Sequence, residues 1–180
     1  SIPLHRYNVI ILPDGQYKKS EKFEENLKKW TRAGGKLIVL RSAIKFTNRL
    51  GMTKAKGLKI QADSLHVSSY ENHAHDHGSQ IIGGAIFETE IDLTHPLFFG
   101  YSQKTLPVFR RGTQFYDLTK NNYATPMKYS QSPVVSGYCS ERNQELAKGS
   151  AGVMCFGYGT GKIIVLVDNP NFRGYWLGGS

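Results

Sequence analysis

Cysteine is scarce in this sequence: Cys139 and Cys155 are its only two thiols in 180 residues. Two are too few for a disulfide scaffold or a four-thiolate zinc site, and spacing alone does not say whether they pair. Also missing is any apolar run near the ~20 residues that a membrane-spanning helix needs, so no membrane span is expected. No N-terminal targeting segment is expected, because residues 1–6 are short and run directly into a strand-like stretch. No Pro/Gly/Ser-rich linker divides the chain and no internal repeat is visible, so one domain over 1–180 is expected. Acidic residues are the scarcer charge, 14 against 23 basic ones, which leaves a net charge of +9.

The composition is that of a folded domain, with 39% hydrophobic and 12% aromatic residues. A chain of this length buries on the order of 70% of its unfolded surface, enough for a core without metal or disulfide. The positive charge invites a nucleic-acid reading, which would require clustered cations interleaved with stacking aromatics. The densest basic stretch, 45–59, contains Lys45, Arg49, Lys54, Lys56 and Lys59 but a single aromatic, Phe46. It reads as a solvated face, and nucleic acid is not an expected partner.

Residues 7–12 (YNVIIL) form a short β-branched apolar run ending at Pro13-Asp14-Gly15, the pattern of a buried strand and a turn. Ser20 is placed to cap a helix reaching Arg32, with Phe23, Leu27 and Trp30 as its apolar stripe. Gly34-Gly35 stops that helix, and residues 36–40 (KLIVL) give a second buried strand. Strand, helix and strand with short connections predict a parallel βαβ unit. A short helix is expected over 42–50, followed by a long polar excursion through 52–80. From Gly83 the texture becomes β-rich, with strands expected at 84–91, 107–110, 114–118, 134–138, 153–156 and 163–167. The glycines of 157–161 fit a hairpin between the last two.

Four segments hold residues able to do chemistry. His73, His75 and His77 lie within five residues and would share one face of an extended strand, a candidate site for a transition metal. The run 157–162 ends in Gly-Lys, but Phe156 and Ile163 stand where a phosphate loop requires Gly and Ser or Thr, so a hairpin is expected. Arg41-Ser42 follows the strand 36–40 where an α/β fold places a nucleophile elbow. Arg41 is no nucleophile, and Ser42 lacks the Gly-x-Ser-x-Gly setting and reads as a helix cap. Asp168, Arg173, Tyr175 and Trp176 follow a strand at the end of the chain, where α/β sheets open a ligand crevice. Arg41, Asp168, Arg173 and Tyr175 are the candidate binding residues.

Two resemblances sharpen this reading. Residues 7–14, the helix, Ala33-Gly34-Gly35 and 36–40 resemble the core of class I glutamine amidotransferase-like domains. That superfamily places its catalytic cysteine at the end of the strand after the Gly-Gly, which here is Arg41, and its histidine near Asp168-Asn169, where none stands. The first strand and helix of that fold would lie before Ser1. Second, Gly83-Gly84-Ala85-Ile86-Phe87-Glu88, Asp92-Leu93-Thr94-His95-Pro96-Leu97 with Phe99-Gly100-Tyr101, Ser136-Gly137-Tyr138 and the run from Asp168 to Trp176 resemble the C-terminal region of large bacterial zinc carboxypeptidases of the carboxypeptidase A-like family. The zinc-binding His-x-x-Glu of that family belongs to the peptidase domain, and no histidine here precedes a glutamate by three positions.

The expectation is an α/β, flavodoxin-like or amidotransferase-like three-layer sandwich with a mainly parallel sheet and a β-rich C-terminal half, excised from a larger chain. The resemblance implies a non-catalytic accessory domain of a zinc metallocarboxypeptidase, serving stability, substrate placement or assembly. It implies zinc in the parent's peptidase domain and no cofactor here, that domain as partner, a possible homo-oligomer, and a periplasmic or extracellular location. The alternatives are a metal- or ligand-binding module built on His73, His75 and His77, and a serine hydrolase using Ser42.

Overall fold

The computed structural model of the chain describes residues 3–59 and 81–171. Strand β1 (Val9–Leu12) leads through helix α1 (Glu21–Arg32) to β2 (Lys36–Leu40), and helix α2 (Ala43–Arg49) follows at once. Strands β3 (Ala85–Ile91), β4 (Thr105–Arg110) and β5 (Met127–Gly137) come next, then helix α3 (Glu141–Ala147), β6 (Ala151–Tyr158) and β7 (Gly161–Leu166). All seven strands join one sheet in the order β1-β2-β7-β6-β5-β3-β4. No helix among the described residues is long and apolar enough to cross a membrane.

The βαβ unit forms as its pattern predicts, with β1 and β2 parallel. The helical stripe is rotated from the expected one. Glu24, Leu27 and Thr31 are the buried positions, while Phe23 stays 37% exposed. Glu24 tolerates that place because Arg49 donates to its carboxylate at 2.9 Å. Ser20 sits at the N-cap without a side-chain cap bond, and its N–H donates to Glu24 Oε1 at 3.3 Å.

The expected mainly parallel sheet is corrected to a mixed, β-rich one. β1–β2 and β2–β7 are parallel, while β7–β6, β6–β5, β5–β3 and β3–β4 are antiparallel. Connection length supplies the reason. A parallel neighbour requires a crossover such as α1, whereas Gly159-Thr160 turns β6 straight back into β7. Strand β1 is also less enclosed than its apolar sequence suggests, since it stands first in the sheet order with Val9 and Ile11 about half exposed. The segment 114–118 makes one isolated bridge, Tyr116 to Gly57, in place of a strand.

The glycine-rich 157–161 turn is the expected hairpin, and its glycines have a second reason. A Cβ on Gly161 would lie 1.9 Å from the Thr31 carbonyl oxygen, and one on Gly159 would lie 2.7 Å from that of Arg32. The hairpin therefore backs directly onto the C-terminal turn of α1, where Thr160 donates from its N–H and its hydroxyl to the Arg32 carbonyl.

Helices α1 and α2 cover one face of the parallel strands, where Leu27 and Ile44 pack with Leu37, Val39, Ile163 and Val165. Strand alternation sends Ile38, Ile164 and Leu166 to the opposite face. There they line a groove of about 490 Å³ with Phe98, Leu106 and Met127. A further cluster of Phe87, Phe115, Tyr129 and Ala147 fills the antiparallel half beneath α3. Cys139 and Cys155 are both free, and burial pushes the Cys155 thiol up to about 11.

Candidate functional site

Strands β1, β2, β4 and β7 run in one sense, so their C-terminal ends lie on the same side of the sheet. Asp14 follows β1 by two residues, Arg41 follows β2 directly, Arg110 ends β4, and Asp168 follows β7 by two. These four residues build the site, and they do so as two carboxylate–guanidinium pairs.

Arg41 is the sole non-glycine residue with a positive φ among the described residues, at 47°. L-residues avoid this left-handed region because Cβ crowds the following carbonyl. The backbone is held there by the Arg41 N–H donating to the Leu166 carbonyl at 2.9 Å. The side chain is held as firmly. Nη1 donates to Asp14 Oδ2 and Nη2 to the Arg111 carbonyl, each at 2.8 Å. Gly112 makes room for this guanidinium, since a Cβ at position 112 would lie 3.3 Å from Arg41 Nη2.

Ser42, expected to cap α2, makes no side-chain cap bond. Its hydroxyl donates instead to Asp14 Oδ1 at 2.5 Å and accepts the Gly15 N–H at 2.9 Å. A capping oxygen must accept from the first helical N–H groups, which needs an extended cap residue. Ser42 is itself helical at φ −62° and ψ −21°, and its hydroxyl turns to the Asp14 carboxylate. Burial alone would raise the Asp14 pKa, but the Ser42 hydroxyl, the Ser42 N–H and the Arg41 and Arg111 guanidiniums outweigh it and hold the carboxyl below its ordinary value. Asp14, turned toward Ser42 and Arg41, stands in the place where a hydrolase serine would need a histidine base.

Asp168 is at the site but faces inward. Its Oδ1 accepts from Arg110 Nη1 at 2.9 Å, and its Oδ2 accepts from the Tyr129 hydroxyl. Arg110 also donates to Tyr129 Oη at 3.1 Å and to the Gln114 carbonyl, and it lies 4.3 Å over the Phe115 ring. Burial first, and then the Asp168 carboxylate, push the Tyr129 hydroxyl well above its ordinary range, so it remains a donor.

Between the two pairs lies a cleft of about 110 Å³, lined among others by Asp14, Arg41, Lys45, Arg110 and Tyr116. The structure therefore brings Arg41 and Asp168 to one end of the sheet, where Arg41 and Arg110, the partner of Asp168, both line this cleft. Arg173 and Tyr175 lie outside the described residues, as do His73, His75 and His77. Sequence reasoning took Asp14 for a turn residue and Lys45 for part of a solvated basic face, and passed over Arg110, Arg111 and Gly112. The available signal was position: Arg110 ends a strand, and Asp14 and Asp168 each follow one by two residues.

No protein-family model matches the chain, and no curated protein matches it. The fold does have solved neighbours. A putative ThuA-like protein from Parabacteroides merdae superposes with a TM-score of 0.50 at 13% identity, covering 91% of this chain and 60% of that one. A cytoplasmic protein from Salmonella typhimurium gives a TM-score of 0.50 at 13% identity, covering 92% of this chain and 62% of that one. The chain thus spans about three fifths of the length of these two proteins, and what it shares with the ThuA-like protein is a mixed α/β fold.

Proposed function

We propose that this chain is a non-catalytic accessory domain of class I glutamine amidotransferase-like, three-layer type. On this reading it serves a zinc carboxypeptidase domain of the same protein, supporting its stability, its placement of peptide substrates or its assembly. The observation that carries the non-catalytic part is Arg41. A nucleophile elbow uses a strained residue at a strand end to expose an attacking atom. The strain is present at φ 47°, but the residue is a guanidinium already bonded to Asp14. The second expected catalytic position is occupied by Asp168, which is committed to Arg110 and Tyr129. The fold likeness to a ThuA-like protein supports the amidotransferase-like architecture.

The peptidase partner, its zinc and an exported location follow from the sequence resemblance. They are tested on the full-length protein by measuring carboxypeptidase turnover with and without this domain, on a short and a long peptide of matched C-terminus. Loss on the long peptide alone assigns substrate placement, and loss on both assigns structural support. Unchanged turnover on both, or no carboxypeptidase activity in the intact protein, overturns the reading.

A further inference from the structure

We propose that the cleft between the Asp14–Arg41 and Arg110–Asp168 pairs is a binding site for a small organic carboxylate. The proposal concerns the cleft's own side chains and does not depend on a peptidase partner. Arg41, Lys45, Arg110 and Arg111 line the cleft against one lining acid, Asp14. With Asp14 counted against Arg41, Asp168 against Arg110, and Arg111 left out because it is engaged elsewhere, Lys45 still leaves one positive charge in excess among the described residues. Such an excess in a concave, partly dry site attracts an anion.

Arg110 forms part of the wall at 1% exposure, and its buried Nε has no acceptor among the described residues. That donor is shut away from water, so Arg110 contributes its positive charge to the wall rather than a hydrogen bond to a ligand. Arg41 spends one donor on Asp14 and one on Arg111, and its other three N–H groups have no partner among the described residues. Lys45 adds an exposed ammonium from α2.

Size and lining decide the class of anion. A volume of about 110 Å³ is smaller than the ~150 Å³ that encloses benzene, and well under the ~300 Å³ of pockets for drug-sized ligands. It admits a carboxylate and a few carbons, which excludes a nucleotide. Between the cations the wall includes Tyr116, Val167 and Gly112, which suit a short carbon chain better than an inorganic oxyanion.

The test is calorimetric titration of the protein with N-acetyl-dialanine, its C-terminal amide, propionate and inorganic phosphate. The free acids are expected to bind, with the amide at least tenfold weaker than its acid. Lys45→Met and Arg41→Gln should each weaken the acids about tenfold, the loss of one charge-assisted hydrogen bond. Lys45 is exposed, so its variant folds whatever happens at Arg41. Lys36→Met, at the opposite end of β2, should leave binding unchanged. Binding of N-acetyl-dialanine alone assigns a peptide C-terminus, and binding of propionate as well assigns a free small acid. Equal binding of acid and amide, tighter binding of phosphate, or an unaffected Lys45→Met variant overturns the site.

Discussion

Asp14 and Asp168 each follow a strand by two residues, and each accepts a hydrogen bond from an arginine, at 2.8 and 2.9 Å. Their side chains are 33% and 8% exposed. Around Asp168 the partners are a tyrosine hydroxyl and a guanidinium sandwiched against aromatic rings, so water offers the pair no alternative. Around Asp14 the partners are the Ser42 hydroxyl, the Ser42 backbone N–H and an arginine that also borders an open cleft. Chemically alike, the two pairs differ in what replaces them when they break. The inner one must hold, because its charges have no solvent to return to, while the outer one is free to exchange partners with a ligand.

The largest effect is expected at the inner pair. Asp168→Ala leaves the Arg110 charge buried and uncompensated, at a cost of about 3–5 kcal/mol in urea unfolding. Replacing the charges together, as Arg110→Met with Asp168→Leu, should recover most of that loss, because the penalty comes from an orphaned charge rather than a missing attraction. A loss under about 1 kcal/mol for Asp168→Ala would erase the distinction between the two pairs.

How much of this was legible follows from the separation of the parts. The βαβ unit was read to within a residue or two, because β1, α1, β2 and their glycine stop are local patterns. The hairpin of β6 and β7 was local in the same way. Strand β5 was found only in its second half. Its first residues, Met127 to Pro133, alternate poorly and include a proline, so no period-2 signal marks them. Helix α3 was missed because its seven residues offer little apolar periodicity. The sheet order and the two ion pairs are not local at all. Arg41 and Asp14 are 27 residues apart, and Arg110 and Asp168 are 58, distances for which no motif spacing exists. Arg41 was recognised because it directly follows a local strand pattern, a position that the family resemblance also singled out. Asp14, which holds it, had no such pointer.

A mid-sized effect separates strain from charge at the outer pair. Arg41→Ala removes the guanidinium but keeps an L-residue at φ 47°, whereas Arg41→Gly removes both the guanidinium and the steric cost. The glycine variant should be more stable than the alanine variant by about 1–2 kcal/mol, the ordinary penalty of the left-handed region. Identical melting of the two would mean that the backbone at 41 relaxes once the side chain is gone, and that the guanidinium bonds impose the strain.

The smallest effect is expected at Asp14, and pH reveals it. Asp14→Asn keeps the shape and loses the charge of a partly exposed pair, so at pH 7 the loss should stay within about 1 kcal/mol. The folded protein holds the Asp14 carboxyl below its ordinary value of 3.8, so the unfolded chain takes up that proton first as acid is added. The stability contributed by the ionised form is therefore present above pH 3.8 and is lost as pH falls through the lower folded value. Urea midpoints of wild type and Asp14→Asn should differ by a constant amount near neutrality and converge below pH 3.8. Convergence at a higher pH would show that Asp14 is protonated more easily in the fold than in the unfolded chain. The outer pair would then be a strained contact rather than a favourable one, and the contrast with Asp168 would lie in the sign of the interaction as well as its size.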